Sequence, residues 1–409
     1  MPYKRGSNTA LSGPLSTLPL AARMVRLGTE TAFEVLAEAK ALEAAGRSIV
    51  HMEIGEPDSN TPAHIVEAAI RALRDGWHHY TPSAGILELR EVIAESVSRS
   101  RGIEVSPDEV VVTPGAKPII FFSLLALIEE GDEVIYPNPG FPIYESMIRY
   151  AGGRPVPIRL REELDFGIDV DELVHYFGPR TKMVILNSPN NPTGSVLRRE
   201  DLMRLAEAFA GSNVMFLSDE IYRRILYEGE PVSIASLQGM KERTVILDGF
   251  SKTYAMTGWR LGYGVMNRRL AAQVTKLMTN SNSCTAAFTQ KAGVMALNGD
   301  QSAVAEMVET FRTRRDHLVK LLNEIKGVTC RTPRGAFYVF PNIQSLKRSS
   351  SDLARKLLRE AGVAVLSGTA FGEYGEGYLR LSYATSVEML EEGVRRIRDF
   401  VERDWRCSI

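Results

Sequence analysis

The chain has 409 residues, more than one hydrophobic core usually fills, so two domains are expected. Its 49 Lys plus Arg against 50 Asp plus Glu give a formal net charge of −1, which argues against nucleic acid or an anionic membrane as a main partner. Hydrophobic residues at 44% and charged residues at 24% are ordinary for a globular protein, and three widely spaced cysteines (Cys284, Cys330, Cys407) form neither a disulfide framework nor a metal site, which suits a reduced cytoplasm.

Residues 1–20, rich in Ser, Pro, Gly and Thr, read as a flexible N-terminal arm. Lys4-Arg5 precede a mildly apolar stretch, but Gly13, Pro14 and Pro19 break it, which argues against a signal peptide. Residues 31–45 are dominated by Ala, Leu and Glu at helical spacing, and Gly46 offers a stop. Short continuous apolar runs then alternate with amphipathic helical stretches: Val110-Val-Val-Thr, Glu133-Val-Ile-Tyr, Met183-Val-Ile-Leu, Val214-Met-Phe-Leu and Thr244-Val-Ile-Leu. Strands apolar on both sides are what a mostly parallel sheet flanked by helices requires, so the fold class is α/β. The longest apolar run, residues 119–128, is interrupted by Ser123 and is too short to span a bilayer. After Cys330 the texture changes to a strand at 336–340, a helix at 352–360, strands at 363–366 and 378–383, and a final charged helix, a smaller α+β unit. The expected division is a segment 21–55 that contributes to the small domain, a large domain 56–310 and a small C-terminal domain 311–409.

Several of these strands end in polar or glycine-rich turns, where an open α/β sheet places its ligand. Val112-Thr-Pro-Gly115-Ala-Lys117 enters a helix, and a glycine at a helix N-terminus exposes free backbone N–H groups to an anion; the alternative is a plain strand-to-helix turn. Asn187-Ser-Pro-Asn-Asn191-Pro-Thr-Gly194 is stiff enough to aim Asn191 at a ligand, or is simply a turn. Asp219, in Leu217-Ser-Asp-Glu-Ile-Tyr222, ends a buried strand, where an unpaired carboxylate is expensive. A protonated heteroaromatic nitrogen would satisfy it, and so would a capping role on a following helix. Lys252, in Asp248-Gly-Phe-Ser-Lys-Thr-Tyr, closes another buried strand; desolvation there penalises the ammonium and makes the amine a good nucleophile toward an aldehyde. Ser251 and Arg260 stand by as phosphate donors. Arg380 lies inside the apolar strand Tyr378-Leu-Arg-Leu-Ser-Tyr383 and needs a carboxylate, from a substrate or from the protein.

One Schiff-base amine, one acid for a ring nitrogen, a phosphate cradle and a carboxylate receptor make the set that holds pyridoxal phosphate and an amino acid. With that set, the chain resembles the class I/II pyridoxal-phosphate aminotransferases of fold type I, and within them the aspartate/aromatic/alanine branch. The likeness runs in motif order over residues 24–404. Its markers are Gly55-Glu-Pro-Asp58, Tyr80 with Gly85 and Leu89-Arg90, Thr113-Pro-Gly-Ala-Lys117, the Asn187–Gly194 turn, Asp219-Glu-Ile-Tyr222, Ser251-Lys252 through Arg260, Gly335-Ala-Phe-Tyr338 and Leu379-Arg-Leu-Ser-Tyr383.

The resemblance implies that Lys252 forms the Schiff base with the cofactor and then shuttles the proton, and that Asp219 pairs with the pyridine nitrogen. Asn191 and Tyr222 would bond the phenolic oxygen, and Phe141 would stack on the ring. Gly115, Ala116, Ser251 and Arg260 would bind the phosphate, with Tyr80 reaching the phosphate of a neighbouring subunit in a homodimer with shared sites. The substrate positions it implies are Arg380 for the α-carboxylate, with Gly55 and Asn191 beside it. Lys117 either meets a distal carboxylate or lies near the phosphate. Phe33 and Glu34 lie on a helix that gates the site in relatives.

Two positions depart from the pattern. Gly249 stands where many relatives carry a phosphate-binding serine, and Phe141 where many aspartate-type relatives carry tryptophan. The implied activity is ping-pong transfer of an amino group from an L-amino acid, aspartate, glutamate or another common one, to a 2-oxo acid such as 2-oxoglutarate. The same cofactor residues would also serve a C–S β-lyase, and more remotely a non-catalytic regulator.

Overall fold

A computed structural model of the chain describes residues 20–407, so the arm expected over residues 1–20 lies outside the described residues except for Leu20. In chain order the strands are β1 (Val50–His51), β2 (Val110–Thr113), β3 (Glu133–Asn138), β4 (Arg154–Arg161), β5 (Gly167–Ile168), β6 (Thr181–Asn187) and β7 (Met215–Asp219). They continue with β8 (Thr244–Gly249), β9 (Gly262–Val265), β10 (Tyr338–Val339), β11 (Val363–Ala364), β12 (Leu366–Ser367) and β13 (Leu379–Ser382).

Eight of them form one sheet in the order β2-β9-β8-β7-β6-β3-β4-β5. Neighbours from β4 through β3, β6 and β7 to β8 are parallel, whereas β9 runs antiparallel to β2 and β8, and β5 antiparallel to β4. The α/β reading holds, and the alternation along each strand explains it. Val111, Val245 and Leu247 point to a core shared with Ile119, Ile120, Met147 and Val274 on one face. Val110, Val112 and Ile246 point to the other face, against Ile65, Leu89, Ile93 and Ala292. A period of two with apolar residues in both phases buries both faces, so helices must cover each.

The five expected strand runs are all present. Three strands of this sheet, β4, β5 and β9, are additional. β4 carries two prolines, and β9 reads Gly-Tyr-Gly-Val, with glycine where it passes close to other backbone.

The remaining strands build smaller sheets, β10-β13-β12 and β1-β11. Val50 of β1 pairs in parallel with Val363 of β11, so the segment before residue 55 joins the C-terminal part of the chain. Val50 and Met52 share a core with Phe311, Phe337, Leu381, Leu390 and Phe400. The expected strand at 363–366 is split between two partners, β1 and β13. The helix expected at 352–360 begins at Ser350, widens into a π turn over Leu357–Ala361, and stops at Gly362 with φ +68°. The helix Ser302–Asn323 runs unbroken through residue 310, where the boundary between the two domains is expected. Among the described residues no helix is long and apolar enough to cross a membrane.

Candidate active site

Strand register gathers the site at one edge of the large sheet. Asn187, ending β6, faces Asp219, ending β7, and Asp219 faces Leu247 of β8. Gly249, ending β8, faces Gly262 at the start of β9, which in turn faces Thr113 at the end of β2. The turns that follow these strands open on a single cavity of about 540 Å³. Of the expected positions, Gly55, Ala116, Lys117, Phe141, Asn191, Asp219, Tyr222, Ser251, Lys252, Arg260 and Arg380 line it. Gly115 sits in the turn against Arg260, and Tyr80 stands away from the cavity with 88% of its surface exposed. Phe33 lines the cavity and Glu34 does not.

Lys252 donates from Nζ to the Gly55 carbonyl at 2.5 Å. Burial lowers its pKa from 10.5 to about 8, helped by the nearby Arg380 and Arg260 and opposed by Glu56 and Glu30. Near neutral pH it therefore holds far more free amine than an ordinary lysine.

Asp219 accepts from the Tyr144 hydroxyl at 2.6 Å and from the Ile221 backbone N–H at 3.2 Å. Burial nevertheless raises its carboxyl from 3.8 to about 6, because two hydrogen bonds only partly replace the lost hydration. The Asn187 side chain donates to the Asp219 carbonyl at 3.1 Å and accepts from the Asn191 N–H at 2.9 Å, so one amide locks the asparagine turn to the end of β7.

Arg380 is 3% exposed. Its Nη1 donates to Asn191 Oδ1 at 3.3 Å, its Nη2 to the Glu53 carbonyl, and its buried Nε has no partner. The guanidinium lies 4.5 Å from the Tyr338 ring centroid and 5.0 Å from that of Phe371. Among the described residues it has no carboxylate partner, so the structural ion pair that competed with a substrate role is absent. Tyr222 and Tyr338 share a hydrogen bond of 2.8 Å, and burial pushes both phenols up, keeping them neutral.

The cradle depends on two glycines. A Cβ on Gly115, whose φ is +87°, would stand 2.2 Å from Arg260 Nη2, and a Cβ on Gly262 would stand 2.3 Å from the Ala116 nitrogen. Arg260 has a φ of +56° and donates to the Thr257 carbonyl at 2.7 Å, so its charge meets neutral acceptors. The start of the helix Lys117–Leu127 lies alongside. Gly249 is tightly packed too: a Cβ there would lie 3.1 Å from the Gly262 Cα.

The family model for aminotransferase class I and II matches residues 47–397. The chain belongs to the class I and II aminotransferases. It is 38% identical to the aspartate aminotransferase of Bacillus subtilis over 393 residues, 94% of this chain and 100% of that protein. It is 42% identical to aromatic-amino-acid aminotransferase 2 of Thermococcus litoralis over 353 residues, 85% and 90% of the two chains. The solved structure of the aspartate aminotransferase from Rhizobium meliloti matches with a TM-score of 0.91 at 36% identity, covering 95% of this chain and 100% of that one. The fold is therefore the type I aminotransferase fold, and the chain is a transaminase dependent on pyridoxal 5′-phosphate.

The residues present fit that cofactor. An aminotransferase needs an amine for the aldehyde, a cradle for the phosphate and an acid for the ring nitrogen. Here the cavity holds an amine of lowered pKa, a glycine-lined turn beside a guanidinium that has no counter-charge among the described residues, and a buried carboxyl bonded among them by Tyr144 and Ile221. Sequence reasoning missed Tyr144, Tyr338 and Asn187 as site residues. Tyr338 ended a quoted motif and Asn187 began one, but Tyr144 carried no local signal beyond following Asn138-Pro-Gly-Phe-Pro142. Lys117 is already paired with Glu30, which sequence reasoning also missed, and its ammonium lies 5.4 Å from the Phe141 ring centroid.

Proposed function

We propose that this aminotransferase exchanges the amino group between glutamate/2-oxoglutarate and a second L-amino acid, aspartate or an aromatic one, in a cavity that takes both in turn. The observation that carries the reading is Arg380, a buried guanidinium with an orphaned Nε and no carboxylate partner among the described residues, in the same cavity as the free-amine-rich Lys252. An α-carboxylate is the group that would satisfy it in a bidentate fork.

When bound, pyridoxal phosphate supplies an aldehyde carbon for amine exchange and a ring that takes up the electron pair left on the substrate Cα. Asp219 holds the proton on the ring nitrogen, and Tyr144 and the Ile221 N–H hold Asp219. Ala116, Ser251 and Arg260 bind the phosphate, Gly115 lets Arg260 approach the turn, and Tyr80 adds a hydroxyl from the neighbouring subunit of a homodimer. Phe141 covers one ring face, itself braced edge-on by Tyr144 at 5.7 Å. Asn191 and Tyr222 bond the phenolic oxygen. Lys252, as a free amine, would take the proton from the substrate Cα and deliver it to the cofactor's aldehyde carbon, and its lowered pKa suits both directions. We assign residues 21–55 and 311–409 to a small domain and 56–310 to the large one, with the helix Ser302–Asn323 as connector. We place the protein in the cytoplasm, with Cys284 and Cys330 as free thiols.

A donor and acceptor panel on the holoenzyme tests the reading. Glutamate, aspartate, phenylalanine and tyrosine should each react, with turnover strictly dependent on a 2-oxo acid. Pyruvate and ammonia formed from a β-substituted alanine without any acceptor would replace it with elimination.

A further inference from the structure

Glu30 stands at the cavity wall one residue before the helix Thr31–Ala44, with its carboxylate on Lys117. Four cations line this cavity. Lys252, Arg260 and Arg380 hydrogen-bond to neutral oxygen atoms, whereas Lys117 already holds a carboxylate. The pair is only partly wet, with 43% of the Lys117 side chain and 17% of the Glu30 side chain exposed. Glu30 also acts electrostatically inward: its charge raises the proton affinities of Lys252, Arg380 and Tyr338. The wall nearby is apolar, with Phe33, Ile120, Phe141 and Phe371.

A cavity that receives an acidic and an aromatic side chain in alternate half-reactions faces a conflict. A bare lysine suits the acid but leaves an unpaired ammonium against an aromatic ring, and an apolar wall has the opposite fault. We propose that Glu30 is a displaceable counter-carboxylate that sets side-chain specificity: it stays on Lys117 for neutral and aromatic substrates and yields Lys117 to a substrate's side-chain carboxylate. Displacing it is inexpensive. Glu30 is the helix N-cap residue, yet its side chain makes no capping hydrogen bond, so swinging it into water breaks the ion pair and no cap. The inference rests on the proposed function, in that both substrate classes must enter one cavity.

The test uses holoenzyme with Glu30→Gln, with Glu30→Ala as a second variant, and Lys117→Gln alone and combined with Glu30→Gln. Two unreactive acids serve as probes: succinate, and 3-phenylpropionate, which lacks a second carboxylate. Removing the competing carboxylate should tighten succinate binding and raise kcat/KM for glutamate by about threefold to fivefold, the upper part of the range of a partly exposed ion pair. Binding of 3-phenylpropionate and kcat/KM for phenylalanine should instead weaken by about twofold to threefold, because the bare Lys117 ammonium then faces the ring. On the Lys117→Gln background the Glu30 effect should vanish. Equal changes for both probes, no change for either, or an effect that survives without Lys117 would overturn the proposal. A wild-type enzyme that transaminates only one substrate class would instead sink the shared-cavity reading, and the probe affinities would show this separately.

Discussion

Replacing Asp219 by asparagine separates what the site needs from what the fold prefers. The carboxyl is 5% exposed, and burial raises its pKa from 3.8 to about 6. The folded protein therefore holds this proton more tightly than the unfolded chain, and ionising the group costs the folded state. The cost is absent below about pH 3.8, grows as pH rises from 3.8 to 6, and is constant above that. A gap of about two pH units at 1.36 kcal/mol each gives ~3 kcal/mol as an upper estimate. Asparagine removes the charge and keeps an oxygen to accept from Tyr144. Asp219→Asn should thus stabilise the apoprotein by about 2–3 kcal/mol at pH 7.5, and by roughly half as much at pH 5. Urea unfolding at the two pH values, with slopes held equal, measures both. The same substitution should lower kcat/KM of the holoenzyme by on the order of 10²–10³, because the ring nitrogen loses its counter-charge in a buried setting. A variant less stable than the parent at pH 7.5, or an advantage of the same size at pH 5, would refute the reasoning.

Lys252→Ala should abolish turnover and leave no cofactor covalently retained after borohydride reduction and denaturation; in the parent apoprotein, acylation of Lys252 should rise with a midpoint near pH 8, followed by mass spectrometry. Arg380→Leu should raise KM for every amino acid substrate by about 10² through loss of the charge-assisted fork, while leaving apoprotein stability within about 1 kcal/mol, since an unpaired buried guanidinium contributes little. Arg101 donates to Glu220 at 3.0 Å and Asp248 at 2.5 Å beneath the site, so Arg101→Met should leave two buried carboxylates unpaired and cost about 3–5 kcal/mol in urea unfolding. Tyr80→Phe should weaken cofactor retention, and mixing Tyr80→Phe with Lys252→Ala chains should restore one parent-like site per hybrid dimer in an activity titration.

The parts of this molecule legible in the sequence are those where local chemistry and tertiary role coincide. Val110-Val-Val-Thr and Thr244-Val-Ile-Leu could be read as strands because both side-chain phases are apolar, and both are buried on the two faces. β9 was not, because its glycines answer to the Ala116 backbone and the Ile119 side chain, which come from elsewhere in the chain. β4 was hidden by its prolines, which are tolerated beside a short outer strand. Lys252, Asp219 and Arg380 stood out because a charge in an apolar strand demands an explanation. Tyr144 did not, since an aromatic in an amphipathic helix reads as core, and only the fold brings its hydroxyl to a carboxylate 75 residues away. Glu30 was equally silent: one acid before a charged helix says nothing about the lysine 87 residues later that it meets.

The proposed function requires Lys252, Asp219 and Arg380 to act together on the α-carbon of an amino acid whose nitrogen stays with the enzyme. Adding ¹⁵N-labelled glutamate to the holoenzyme without any acceptor tests it directly. One equivalent of 2-oxoglutarate per active site should appear, with the label held on the protein until a second 2-oxo acid carries it off. Free labelled ammonium, or oxo acid released continuously without an acceptor, would contradict the claim.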